Sequence, residues 1–370
     1  MSTPLYIRIH PPYEGLTHRE VANLQRNDIA RMTARRPTSF DIAALAGVSQ
    51  PTVSRALSGN PSVSAETRER VLEAARQLHY TVDKNASGLR RRQSKTIALL
   101  FFEDPTPDDT LINPFYLSML GALTRACAAR GYDLLISMQQ LSGDWHVDYE
   151  DSRKADGILL LGYGDYLTAL PRLEQLVEQG THFVRWGAAK SGQVGTTVGS
   201  DNEQGGYLAG KHLVERGRRK IAFLGTVTDD APEFLERWTG YQRAMREAGL
   251  EQDERLRLDA GPSEEAGRIA ALKLLGQGIA FDGVFATSDL AAIGAMRALH
   301  EAGIDVPRDV SIVGYDDLAA ARMAEPAITT IAQDTKRAGE TLVETLIAKI
   351  EERGPESVLL PVKLVVRGSS

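Results

Sequence analysis

The stretch SFDIAALAGVSQPTVSRAL, residues 39–57, carries side chains whose types and spacing suit reading a DNA duplex. Gln50, Thr52, Ser54 and Arg55 follow directly on a Gly47-Val48-Ser49 turn and fall within two helical turns of one another. Gln can pair with adenine and Arg with guanine along the major-groove edge, so small polar and basic residues opening a helix are what base readout needs. Val53 and Leu57 are expected to face inward, leaving the polar set outward. A supporting helix, a glycine-containing turn and a second helix of this composition make a helix-turn-helix.

Three short helices must position these residues, over about 38–80. Thr38 and Asp41 form a capping-box-like start, and Ile42, Leu45 and Ala46 then recur at helical spacing. Ser49 is the expected N-cap of the second helix, with Pro51 in the first turn, where a missing N–H costs little. Asn60-Pro61 marks a loop, and Ser64 caps a third helix carrying Val71, Ala74, Ala75 and Leu78.

From Lys95 the rhythm changes. Short β-rich runs appear at 96–102, 133–138, 156–161, 182–186, 220–225, 281–287 and 310–316, separated by helical patterns. Alternation at this spacing predicts parallel sheets built of βαβ units. Roughly 275 residues is long for one such sheet, so two doubly wound lobes are expected.

The whole chain has 370 residues and a mass of 40.4 kDa, with 42% hydrophobic and 25% charged residues, an ordinary globular composition. No apolar run reaches the roughly 18 residues of a membrane span, and the N-terminus lacks a signal-peptide core, so a cytoplasmic protein without a membrane partner is expected. The lone Cys127 excludes an internal disulfide and a cysteine-based metal cluster, and is expected to be a small core residue of a helix. Residues 1–95 carry a net charge of +7 and the remainder −13, which fits a nucleic-acid-binding head and an acidic body. Gly205-x4-Gly210-Lys211 imitates a phosphate-binding loop. His212 follows, however, where Ser or Thr should hold Mg²⁺, and the run reads as continuous helix. With no nucleophile elbow, no dinucleotide fingerprint and seven scattered histidines, neither an enzyme, a cofactor nor a metal site is expected.

Taken together, GVSQPTVSRAL, NPSVSAETRERVLEAARQLHY, VGYDD and the closing LLPVKLVVRGS resemble the LacI/GalR family of bacterial transcription regulators, from about Pro37 to the C-terminus. The resemblance implies an all-α helix-turn-helix DNA-binding head. Its partner is an α/β periplasmic-binding-protein-like core of two doubly wound parallel-sheet lobes. It divides the chain into an N-terminal extension (1–37), expected to be disordered, with a true start expected at Met32, a head (38–82), a hinge helix or linker (83–95) and an effector-binding core (96–370). The N-lobe would take about 96–199 and 333–360, and the C-lobe about 200–332 and 361–370.

Its DNA contacts would be Thr38, Ser49, Gln50, Thr52, Ser54 and Arg55, with Ala86 and Leu89 of the hinge entering the minor groove and Arg90 on phosphate. The hinge departs from the family at Val82, Asp83 and Gly88, and glycine costs a helix about 0.8–1 kcal/mol relative to Ala. Arg237, Asp316, Gln333, Ser288 and Asp289 match effector-contacting positions of the second lobe. Asn113, Phe115, Arg185 and Trp186 are expected to line the cleft from the first. The implied protein is a homodimeric repressor on near-palindromic double-stranded operator DNA, released by a small-molecule effector, a mono- or disaccharide. The alternative is a purine- or nucleoside-responsive regulator in which ligand strengthens DNA binding.

Overall fold

The structure, a computed structural model, describes residues 37–78, 80, 93–101, 112–138, 143–162, 166–189 and 192–370. The N-terminal extension and most of the hinge, with Ala86, Leu89 and Arg90, lie outside the described residues. The chain divides into two compact units at Arg92/Gln93.

The first unit holds the three expected helices, α1 (Ser39–Ala46), α2 (Gln50–Leu57) and α3 (Ala65–Gln77). The capping box is present: the Thr38 amide donates to Asp41 Oδ2 at 2.7 Å, and Asp41 is buried. α1 stops at Gly47, whose φ of 65° lies where side chains with a Cβ are disfavoured. Ile42, Val53, Ala56, Val71, Ala74 and Leu78 close a small core between the helices.

The second unit contains two six-stranded sheets. The first runs through β1 (Thr96–Phe101), β2 (Asp133–Met138), β3 (Gly157–Leu161), β4 (Phe183–Trp186), β5 (Thr196–Ser200) and a late strand, Val358–Leu360. The second takes β6 (Ile221–Leu224), β7 (Arg257–Leu258), β8 (Gly283–Ala286), β9 (Ser311–Asp316), β10 (Thr329–Gln333) and the last strand, Val362–Val365. Numbering the two late strands β11 and β12, the sheet orders are β11-β5-β4-β3-β1-β2 and β12-β10-β9-β8-β6-β7. All pairings are parallel except β10 with β12.

Both sheets are apolar on both faces, as βαβ crossovers require. In β1, Ile97, Leu99 and Phe101 pack on one side, towards α4 (Pro114–Ala129) and α11 (Thr335–Ile350). Ala98 and Leu100 pack on the other, towards α5 (Tyr166–Glu178). In the second sheet, Phe223 and Phe285 face α6 (Asn202–Glu215) and α7 (Pro232–Glu247). Ala222, Leu224, Val284 and Ala286 face α8 (Glu264–Gly276) and α9 (Asp289–Glu301). The short α10 (Ala319–Met323) follows β9. Cys127 is fully buried on α4, as its setting implied.

The chain passes between the sheets after β5, after β10 and after β11. Asp201 and Asp334 end the first two passages by capping α6 and α11, accepting from Gln204 N and Arg337 N at 2.9 Å. The Asp201 amide also donates to Leu360 O at 2.8 Å, tying the first passage to the third.

Candidate functional site

In the first unit, Pro51 occupies the first turn of α2, and the buried Val53 and Ala56 anchor that helix. Ser49 and Arg55 are exposed, while Gln50, Thr52 and Ser54 are partly exposed. Ser49 Oγ and Thr52 Oγ1 are 2.8 Å apart, and Gln50 Nε2 donates to Ser39 Oγ at 3.2 Å, which holds its amide against α1. Arg76 is paired with Glu69 and Glu73, and Arg68 with the Asn60 carbonyl. The Arg55 guanidinium makes no hydrogen bond or ion pair among the described residues, and the residue is exposed. Phe40, 71% exposed in the first turn of α1, is a contact candidate that the sequence reading passed over. Only its lack of a helical-periodicity partner could have flagged it.

In the second unit, ligands of open α/β sheets bind at the carboxyl ends of the strands. Four of the expected residues stand there: Arg185 and Trp186 close β4, Asp316 ends β9, and Gln333 ends β10. Arg237 reaches the same region from α7. Its Nε donates to Asn202 Oδ1 at 2.9 Å, a second nitrogen donates to the Thr287 carbonyl, and its guanidinium lies over the Tyr315 ring at 3.7 Å. Tyr315 Oη donates to the same Asn202 oxygen at 3.3 Å.

Two glycines permit this approach. A Cβ on Gly206 would stand 1.9 Å from the Arg237 carbonyl oxygen, and one on Gly240 would stand 1.8 Å from that of Glu203. The GGYLAGK run is therefore a helix-packing stripe of α6, not a phosphate cradle.

Asp316 is 5% exposed and has a φ of 113°, followed by Asp317 at 58°. Two consecutive non-glycine residues at positive φ mark strain of the kind that concentrates at functional sites. Burial pushes the Asp316 carboxyl up to about 7, against the opposing pull of Arg237 and of the hydrogen bond from Gln333.

The lobes meet at this end. The Tyr166 amide donates to Asp230 O at 3.1 Å, and the Ala188 amide to Glu233 Oε1 at 2.9 Å. Arg185 is buried below this contact, donating to Gln193 Oε1 and lying 5.1 Å from the Tyr166 ring centroid. Burial lowers its pKa, while the Glu233 carboxylate nearby opposes that shift. Arg185 Nε, Ser200 Oγ and Thr287 Oγ1 are buried without a hydrogen-bond partner among the described residues. All three lie at or just beyond the carboxyl ends of β4, β5 and β8.

The other expected residues are engaged with the protein itself. Asn113 caps α4 through the Phe115 amide, and Ser288 caps α9 through the Ala291 amide. Phe115 and Trp186 are buried in the first lobe's core, their rings 5.9 Å apart, so Phe115 presents no open face. Asp289 is fully buried, accepting from Leu318 N and Thr330 Oγ1, and burial beside Asp316 raises its pKa well above the ordinary value. A cavity of about 440 Å³ lies elsewhere, on the outer flank of the second lobe between α7 and β6.

Comparison with known proteins places this arrangement. Residues 40–83 match "Bacterial regulatory proteins, lacI family", and residues 211–370 match a "Periplasmic binding protein-like domain". The chain is 35% identical to the HTH-type transcriptional regulator CelR of Thermobifida fusca, over 90% of this chain and 98% of that one. It is 32% identical to the HTH-type transcriptional repressor PurR of Erwinia tasmaniensis, over 88% and 94%. Among solved structures it resembles a CelR–cellobiose complex, with a TM-score of 0.67, 33% identity and 90% and 100% of the two chains covered. It also resembles a Lac repressor dimer bound to operator and an anti-inducer, with a TM-score of 0.79, 26% identity and 90% and 99% covered. The chain belongs to the LacI family of bacterial regulatory proteins, DNA-binding transcription regulators that join a helix-turn-helix head to a periplasmic-binding-like core.

Proposed function

We propose that this regulator is a dimeric repressor, acting in the cytoplasm on a near-palindromic operator and released by a small saccharide held between its two lobes. The observation that carries the effector site is the set of three buried polar atoms without a partner among the described residues, on Arg185, Ser200 and Thr287, at the carboxyl strand ends where Asp316 and Gln333 also stand. A buried polar group without a partner costs about 1–3 kcal/mol, so a cluster of them at strand ends favours a ligand that completes their hydrogen bonds. Alternating donors and acceptors of this kind suit the vicinal hydroxyls of a sugar, each of which both donates and accepts. The likeness to a CelR captured with cellobiose supports the saccharide reading.

In this reading Arg185, Ser200, Arg237, Thr287, Asp316 and Gln333 touch the effector. Asn113, Phe115, Trp186, Ser288 and Asp289 hold those residues from behind. Thr38, Ser49, Gln50, Thr52, Ser54 and Arg55 face operator DNA, with Ala86, Leu89 and Arg90 of the hinge in and beside the minor groove. The extension 1–37, head 38–82, hinge 83–95 and core 96–370 remain our division of the chain. The effector releases DNA by binding one arrangement of the lobes more tightly than the other, a coupling of typically about 1–3 kcal/mol.

The relatives include purine repressors, so the deciding experiment sets both classes side by side. The purified protein is screened by thermal shift against cellobiose, glucose, hypoxanthine and guanine, and each hit is then titrated into the protein–operator complex. A ligand at 100 times its Kd adds about 2.7 kcal/mol to stability. Stabilisation by a saccharide together with operator release is the expected result. Stabilisation by a purine with tighter operator binding would replace this reading by its alternative.

A further inference from the structure

We propose that Asp156 is a positioning residue for operator binding, whose carboxylate fixes the direction in which the chain leaves the core towards the DNA-binding head. The proposal rests on the operator-binding reading above and not on the choice of effector.

The chain passes from the first compact unit to the second at Arg92/Gln93, so the covalent path out of the core runs through Thr96, Lys95 and Ser94. β1 starts at Thr96, with β3 on one side and β2 on the other. The Thr96 carbonyl accepts from the Asp156 amide at 2.8 Å, and the regular pairing of β1 with β3 ends there.

The Asp156 carboxylate reaches beyond that last pair. Its Oδ1 accepts from the Ser94 amide at 2.5 Å and from the Ser94 hydroxyl at 2.8 Å, and its Oδ2 accepts from the Lys95 amide at 2.9 Å. The Ser94 hydroxyl oxygen in turn accepts from the Thr96 amide at 3.1 Å. Hydrogen bonds to an ionised acceptor are the strong ones, so two residues that could fray are held as an extension of the sheet.

Lys95 is gripped from the β2 side as well. Its carbonyl accepts from the Asp133 amide at 2.8 Å. Its ammonium donates to Tyr132 Oη at 3.3 Å and lies 4.4 Å from the centroid of that buried ring. Between these grips Lys95 has a φ of 55°, a left-handed conformation that a residue with a Cβ keeps only where its surroundings impose it. The chain therefore turns out of β1 at a defined residue, and residues flanking both neighbouring strands fix the turn.

The three carboxylate bonds lie outside the ladder, and Lys95 is exposed, so what they set is orientation. A junction free to rotate about Ser94 and Lys95 would let the head sample many positions. The two heads of a dimer must meet half-sites at a set spacing, which a slack junction satisfies less often. Phosphate contacts along an arbitrary duplex carry no such requirement.

The test uses the full chain without effector. Its probes are an operator selected with the parent chain from a randomised palindromic duplex library, and calf-thymus DNA. Asp156→Asn puts an NH2 group against the Ser94 or Lys95 amide. It also removes a negative charge, which by itself favours DNA binding, yet it should weaken operator binding about tenfold, an ordinary size for coupling between sites, and leave calf-thymus affinity unchanged. Lys95→Gly adopts the same φ without strain, so it should keep the melting temperature while weakening operator binding about fivefold. A lost phosphate contact would lower its salt slope by about 1, whereas a slack junction leaves the slope unchanged. A residue that merely stabilised the sheet would lower the melting temperature and spare operator affinity. If Asp156→Asn does not fold, Lys95→Gly decides alone. A folded variant that binds the operator as the parent does, an equal loss on calf-thymus DNA, or a Lys95→Gly loss carried by the salt slope would overturn the proposal. A parent chain that enriches no duplex would overturn the operator reading and this proposal with it. Saccharides play no part in these measurements, so failure of the effector reading leaves their result unaffected.

Discussion

The Gln333 amide donates a 2.7 Å hydrogen bond to the Asp316 carboxylate, joining the ends of two adjacent parallel strands of the second sheet. Arg237 adds its charge from α7, so a carboxyl, a guanidinium and an amide from three elements converge in a buried space. Asp289 stands behind them, its two oxygens holding the Leu318 amide and the Thr330 hydroxyl. The floor is thus built from one carboxyl fixed by two hydrogen bonds and one that, among the described residues, accepts a hydrogen bond from the Gln333 amide and feels the Arg237 charge.

That difference gives a pH dependence. Asp316 titrates at 3.8 in an ordinary setting and at about 7 in the fold, because burial disfavours its charge. Between those values the folded chain keeps a proton that the unfolded chain releases, so stability falls as pH rises through the window and levels off above about 7. A single group of this kind contributes at most about 1.4 kcal/mol per pH unit. Asp289 is raised for the same reason and acts with the same sign. Melting temperatures of effector-free protein from pH 5 to 8 should decline more steeply for the parent than for Asp316→Asn. Equal slopes would mean that Asp316 keeps an ordinary pKa.

Arg55 stands exposed on α2 with a guanidinium that has no partner among the described residues, while those of Arg68 and Arg76 are engaged. Arg55→Ala should therefore relax specificity at one operator position, at a cost of about 1–3 kcal/mol there. Binding to a panel of operator variants measures it. Uniform weakening across unrelated duplexes would assign Arg55 to phosphate instead.

Gly206→Ala places a methyl 1.9 Å from the Arg237 carbonyl, so α6 and α7 must separate. Overpacking of this kind costs about 1–3 kcal/mol, and it shifts the backbone that aims Arg237. Lower stability in urea and weaker effector binding are expected together. Gly276→Ala, where an added Cβ meets nothing within 4 Å, should be neutral or stabilising.

The parts of the fold legible in the sequence are those that local patterning specifies. The three head helices carry caps and inward apolar residues, and seven strands carry dense β-branched or leucine runs. The strands Thr196–Ser200 and Thr329–Gln333 were not legible, because TTVGS and TTIAQ are largely polar and become strands by burial between neighbours. The two-residue β7 and the late strands β11 and β12 take their pairing from distant parts of the chain. At the site, Asn113 and Ser288 stood in N-cap contexts, and that local role is the one the structure gives them. Asn202, Tyr315 and Glu233 went unnoticed, since their importance comes from Arg237 and from the opposite lobe, neither of which any local pattern records.

Glu233 supplies the last test. Its Oε1 accepts the Ala188 amide across the lobes at 2.9 Å, and a Cβ on Gly187 would collide with both that oxygen and the Arg185 guanidinium. Glu233→Ala would leave the Ala188 amide and the Arg185 charge buried without this partner. Opening the lobes hydrates both groups, so the penalty falls on the closed arrangement alone. A shift of about 1–3 kcal/mol corresponds to effector affinity weakened roughly 5- to 150-fold, with operator binding retained. Small-angle scattering of effector-free protein should show a larger radius of gyration, and Glu233→Gln, which keeps an acceptor oxygen but no charge, should fall between. If Glu233→Ala leaves both radius and affinity unchanged, closure depends on other contacts and Glu233 is only a surface of the fold that happens to touch its neighbour.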